Sequence, residues 1–169
     1  MSDRFRKIFL GACVIVPFLI YCVYYYSMVL KNAPYRFVEF DSFVFQYGHG
    51  DSLINKYNSK TGDYQFVDSH DSLVKIKLKL PKAELLYLHH KAAELGFWDF
   101  PSDERGDTTL RHDGSKSPRY FIEFNYKRKS KKVIYDASFT GPQRLIDANQ
   151  QMIKEIMKVL DEVEAKQKN

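Results

Sequence analysis

The sequence predicts an α+β protein: an N-terminal transmembrane helix, then an antiparallel sheet, a meander plus a hairpin, packed against two helices. Three observations carry this. Residues 8–30 (IFLGACVIVPFLIYCVYYYSMVL) contain no charged side chain. Residues 35–67 hold short runs rich in aromatic and β-branched residues, and 73–80 and 120–139 alternate apolar and polar positions, with turn-forming residues between the runs. The segments that begin at Pro81 and at Gly141-Pro142 repeat apolar residues at the 3.6 spacing of a helix covering a core.

The apolar stretch comes first. A bilayer core about 30 Å thick needs roughly 20 apolar residues in a helix. Residues 8–30 supply them, and Pro17 is a kink that membrane helices tolerate. Tyr21, Tyr24, Tyr25 and Tyr26 gather near one end, where amphipathic rings favour the headgroup level. Arg4, Arg6 and Lys7 stand before the stretch against a single acid, Asp3, and the far side is less basic, with Lys31 and Arg36. The positive-inside bias then places the N-terminus in the cytoplasm and the rest of the chain outside. No pair of small residues marks a cleavage site after the stretch: Tyr25 stands two before Ser27, and Lys31 two before Ala33. Leu10-Gly11-Ala12-Cys13 resembles a lipidation motif but has only Ile8 and Phe9 of apolar run ahead of it. The expected division is therefore a cytoplasmic N-terminus over 1–7, an uncleaved signal anchor over 8–30 with the lipid bilayer as its partner, a linker over 31–34, an extracytoplasmic domain over 35–164 and a polar tail over 165–169. The expected location is a bacterial inner membrane, spanned once.

Composition narrows the classes. Cys13 and Cys22 are the only cysteines, so the outer domain has neither disulfide nor thiol chemistry. The formal charge is +5. Without Asp3, Arg4, Arg6 and Lys7 the chain holds 23 basic and 20 acidic residues, too even a balance to point to nucleic acid. The 12 tyrosines and 13 phenylalanines favour strands.

After the anchor, 35–47 (YRFVEFDSFVFQY) reads as a strand with a bulge near Asp41-Ser42. Gly48 to Asp51 turn the chain into a strand over 52–58, and a second turn at 59–63 leads to a short strand over 64–67. In 73–80, Val74, Ile76, Leu78 and Leu80 alternate with Lys75, Lys77 and Lys79, giving one buried face and one wet face. Pro81 opens a helix whose stripe is Leu85, Leu88, Ala92 and Leu95; Gly96 ends it, and Phe97, Trp98 and Phe100 plug the end of the core. Residues 102–117 form a polar loop, with 108–111 placed for weak pairing. Tyr120 to Tyr126 and Val133 to Phe139 make a hairpin with a turn at 127–132. The last helix carries Leu145, Met152, Ile156, Val159 and Val163, widened by Ile153 and Leu160.

In this order of elements, and in the patterning of 85–98 (LLYLHHKAAELGFW), residues 35–163 resemble small anchored or exported bacterial envelope domains of unknown function. The resemblance implies the α+β fold and brings no catalytic residues with it.

The chemistry-bearing residues form no recognised motif. His90 and Glu94 share a helix face one turn apart, but a zinc site needs a third and a fourth ligand. His89 lies nearer the apolar stripe, as a core-edge histidine. His70-Asp71 and His112-Asp113 are loop neighbours with no activated serine or cysteine beside them. Asp103, Glu104, Asp107 and Asp113 lack the spacing of a calcium loop, and Gly48-His49-Gly50 is no phosphate cradle. No catalytic residue, cofactor site or metal site is assigned. The densest feature is the turn Lys127, Arg128, Lys129, Lys131 and Lys132. It reads as a solvated hairpin end that discourages edge pairing, or as a contact for anionic lipid or an acidic partner.

Three functions follow in order. The first is a module that binds an unidentified protein partner, of inhibitor or immunity type. The second is a hydrolase-like enzyme on envelope material, using 102–117 with His112 and Asp113 converging with Glu94 or another carboxylate. The third is a structural or membrane-surface contact through the basic turn.

Overall fold

The structure, a computed structural model, describes residues 3–31, 35–106 and 117–168. The chain divides into two units, Met1–Tyr35 and Arg36–Asn169.

The first unit is the helix α1, Asp3–Lys31, with Pro17 inside it. Its side chains are described at 9 and 11–26. Val14, Phe18, Ile20, Val23 and Tyr24 are all more than half exposed. Tyr21 stacks on Tyr25, and Tyr25 meets Tyr26 edge-on. Cys13 and Cys22 are free thiols.

The expectation of a transmembrane helix is corrected here. Among the described residues no helix is long and apolar enough to cross a membrane. The side chains described over 11–26 include Pro17 and a run of tyrosines. Four of those side chains, Tyr21, Tyr24, Tyr25 and Tyr26, end in hydroxyls. A membrane label, a signal anchor and a single pass over 8–30 therefore lose their footing.

The second unit is α+β. Its strands are β1 (Phe40–His49), β2 (Ser52–Asn58), β3 (Asp63–Val67), β4 (Leu73–Lys77), β5 (Asp103–Glu104), β6 (Pro118–Tyr126) and β7 (Ser130–Asp136). Its helices are α2 (Lys82–Glu94) and α3 (Gln143–Lys168). The strands form one sheet in the order β4-β3-β2-β1-β6-β7-β5. The meander and the hairpin thus join through β1 and β6, and all pairs are antiparallel except β5 with β7. The register of β1 shifts between Phe40 and Ser42, at the bulge that Asp41-Ser42 predicts.

Cross-strand rows show how the core is built. One row runs Val133, Ile122, Phe45, Tyr57, Tyr64, Ile76 across six strands. All but Ile76 are buried. A parallel row sets Phe124 beside Phe43, with ring centroids 4.9 Å apart. Met152, Ile156, Val159, Leu160 and Val163 supply the apolar stripe of α3. Gly96 ends α2 in the left-handed region, at φ 75, where a side chain would be strained. The turn that follows drives Phe97 against Phe124 and Phe100, so the aromatics after the helix do close the core.

Several boundaries differ from the sequence reading, among them the hairpin turn expected over 127–132, because β7 already begins at Ser130. The chain between the first unit and β1 makes a short 3-10 turn over Phe37–Glu39. The last meander strand stops at Lys77; Leu78 and Leu80 stay buried while Leu78 N–H donates to the Gly62 carbonyl. The final helix continues through Lys168, beyond the expected start of the tail. Residues 108–111 lie outside the described residues.

Candidate functional site

A groove opens between α3 and the β6–β7 end of the sheet. Its volume is about 610 Å³, within the few-hundred to thousand Å³ that small ligands and side chains occupy. The sheet contributes Tyr120 and Tyr135, and Ala137 follows β7. The helix contributes Gln150, Ile153, Lys154, Met157, Lys158, Asp161 and Glu162. Those helix positions recur at three and four residues, so one stripe of α3 faces the groove while the next stripe packs into the core.

The floor is aromatic because of strand register. Tyr135 lies opposite Tyr120, and Tyr120 opposite Tyr47. Side chains of paired strands stack at such positions. Tyr120 and Tyr135 stack with centroids 6.4 Å apart, Tyr120 and Tyr47 with centroids 6.3 Å apart. Burial raises the phenol pKa of Tyr135 and of Tyr47. Gln150 lies beside the Tyr135 hydroxyl.

The rim is charged. Lys158 and Glu162 pair at 4.0 Å along the helix. Burial, and then the neighbouring Glu164, push the Asp161 carboxyl above its usual range. The groove therefore offers stacking surface, an amide, a thioether and charges of both signs. Among the described residues that line it there is no serine, cysteine or histidine.

Buried polar groups sit beneath this end of the sheet. Glu104 on β5 is fully buried and accepts a hydrogen bond from the Asn149 amide on α3. Glu104 Oε1 and Asn149 Oδ1 have no hydrogen-bond partner among the described residues. Burial raises the Glu104 carboxyl; Asn149 and Lys131 pull it back in part. Arg119 bridges Asp51 and the buried Asp136, at 3.0 Å to the latter. Tyr120 does not stand out in the sequence as a site residue, and Glu104 is weighed there only as one acid of a calcium loop whose spacing does not fit. Register and burial mark them, and no local motif does.

The basic turn is largely engaged within the domain. Arg128 holds the Glu39 carboxylate with two hydrogen bonds, Nε to Oε2 at 3.1 Å and Nη2 to Oε1. That pairing holds the Glu39 pKa below the usual carboxylate range. Lys131 donates to the Phe100 carbonyl, and its burial lowers its pKa. Lys132 stands opposite Glu123 in the sheet. Lys127 is exposed and Lys129 half-buried; the Lys127 backbone N–H donates to the Glu39 carbonyl at 2.9 Å.

The remaining sequence candidates separate. His89 is buried, its Nδ1 2.7 Å from the Tyr126 hydroxyl and its ring against Trp98 and Phe37. Burial, then the neighbouring His90, lower its pKa. Glu94 pairs with Lys91 rather than with His90. His70 is exposed, 3.9 Å from Asp68, and Asp71 occupies the left-handed region at φ 56. Among the described residues no group of three or more metal-ligating side chains converges. Asp107, His112 and Asp113 lie outside the described residues.

No protein-family model, curated protein or solved structure matches the chain.

Proposed function

We propose that the unit Arg36–Asn169 binds a partner protein and that the groove between α3 and β6–β7 receives a short segment of it. The observation that supports this reading is the tyrosine floor of that groove, a stacking surface with a charged rim. Tyrosine supplies large rigid contact area and a polar tip at low entropic cost, which is why it concentrates at protein interfaces. Lys154 and Asp161 give the rim a way to select the ends of a bound segment. An inhibitor or immunity role belongs to this class. The hydrolase-like reading draws no support from Glu94, which is paired with Lys91, and its His112 and Asp113 lie outside the described residues.

Selection of a random displayed-peptide library on the full chain tests the reading. Enriched peptides should share an aromatic or aliphatic anchor and lose about tenfold or more in affinity against Tyr120→Ala, a loss of hot-spot size. Enrichment that Tyr120→Ala leaves untouched, or no enrichment at all, would overturn it.

A further inference from the structure

We propose that the outer edge of β4 takes an extended segment of a partner protein as an added strand, and that this segment alternates apolar and acidic residues. The inference is independent of the groove, which lies toward the opposite end of the strand order.

β4 ends the sheet on one side. Its pairing is to β3 alone, Lys77 with Asp63 through Leu73 with Val67. Among the described residues no other backbone hydrogen bond reaches 73–77. Alternate N–H and C=O groups therefore point outward, as a template for one more strand. A peptide that adds to such an edge gains main-chain hydrogen bonds, and its side chains give the specificity.

The two faces of β4 state what those side chains should be. On the core face, the row from Val133 to Tyr64 is buried, and Ile76 is only half-buried because no strand flanks it. Val74, opposite Phe66, is in the same position. An added strand would complete both rows with apolar residues. On the open face, Lys56, Gln65 and Lys75 form a row that ends in Lys75 at the edge. Lys77 is paired with Asp63 at 2.6 Å, whereas Lys75 is exposed and has no ion pair among the described residues. A carboxylate opposite Lys75 would be a favourable cross-strand pair. Leu73, 51% exposed, gains apolar cover at the end of the strand.

Charge also argues against a second copy as the occupant. Antiparallel self-pairing centred on the middle residue would set Lys75 against Lys75 and Leu73 against Lys77, with like charges directly opposed. The lysines that block self-pairing thus leave an acidic strand as the favoured guest.

The test uses the full chain and peptides of about eight residues, the length of an ordinary strand. One alternates Val and Glu, one alternates Val and Lys, and one has the Val/Glu composition with its residues blocked. The Val/Glu peptide should shift and protect the backbone amides of 73–77 and weaken as salt rises. Lys75→Glu, at an exposed position that the fold does not use, should reverse the preference toward the Val/Lys peptide by about two- to fivefold, the size of a cross-strand charge pair. Equal binding of all three peptides, no response at 73–77, or self-association of the chain through β4 would overturn the proposal.

Discussion

The β6–β7 hairpin carries two surfaces that differ in what they have left to offer. Its turn and the start of β7 form the most basic segment of the chain, yet Arg128 in the turn holds Glu39, and in β7 Lys131 sits on the Phe100 carbonyl and Lys132 faces Glu123. Its strands show little charge on the core side, yet Tyr120 and Tyr135 form the floor of an open groove. Density of charge in a sequence is therefore a poor guide to unspent binding capacity. What counts is whether the folded chain has already paired the groups, and that depends on contacts such as Glu39 to Arg128, 89 residues apart.

The largest effect should come from the side of the hairpin that neither surface exposes. Phe124 is fully buried among Phe43, Phe97 and Trp98. Phe124→Ala should cost about 3–5 kcal/mol in denaturant unfolding, the range for deleting a buried aromatic ring. A loss below about 1 kcal/mol would mean the hairpin is held by its polar contacts instead.

Tyr120→Ala should cost less stability, about 1–3 kcal/mol, because the ring is half-buried and stacked rather than enclosed. It should cost more in binding than any single change in the turn. An equal effect from Arg128→Gln would erase the distinction between the two surfaces.

The buried titratable groups predict opposite slopes with pH. Burial holds the His89 pKa below the ordinary histidine range, so on acidification the unfolded chain takes up its proton first. The stability from neutral His89 is complete above about pH 6.5 and falls as pH drops through the folded value. Urea midpoints measured from pH 7.5 down to 5 should decline, and His89→Gln should flatten that decline. Glu104 runs the other way. Its raised pKa means the folded state binds the proton more tightly, so its contribution is present at low pH and is lost as pH rises above the ordinary glutamate range, about 4.3. Glu104→Gln keeps an acceptor for Asn149 and removes the buried charge. It should leave stability at pH 7 unchanged or raise it by about 1 kcal/mol, and a clear loss would show that the carboxylate is needed ionised.

The smallest effect belongs to Arg128→Gln. Arg128 is exposed and Glu39 half-buried, so salt and side-chain entropy offset much of the attraction. The unfolding midpoint should not move beyond error, and neither should its salt dependence.

Much of the fold was legible in the sequence because its signals are local. The Val74-to-Lys79 alternation, the Pro81 start, the Gly96 stop and the Asp41-Ser42 bulge each rest on a few neighbouring residues. The two-residue strand β5 was not legible, since Asp103 and Glu104 sit in a polar stretch and gain their place from parallel pairing with Ile134 and Tyr135. The groove was hidden for the same reason. Tyr120 reads as one more strand aromatic until register sets it between Tyr47 and Tyr135. The apolar run over 8–30 misled in the other direction: absence of charge was taken as fitness to span a bilayer, whereas no helix among the described residues has the length and apolarity required.

The central claim is that the groove, and not the basic turn, engages the partner. Site-specific photocrosslinking in cells tests it most directly, with a photoreactive side chain at position 154 on the groove rim and, in a second variant, at position 128 on the turn. The account predicts one discrete protein adduct from position 154 that disappears when Tyr120→Ala is added, and none from position 128. A discrete adduct from position 128 that survives Tyr120→Ala, with none from position 154, would contradict it.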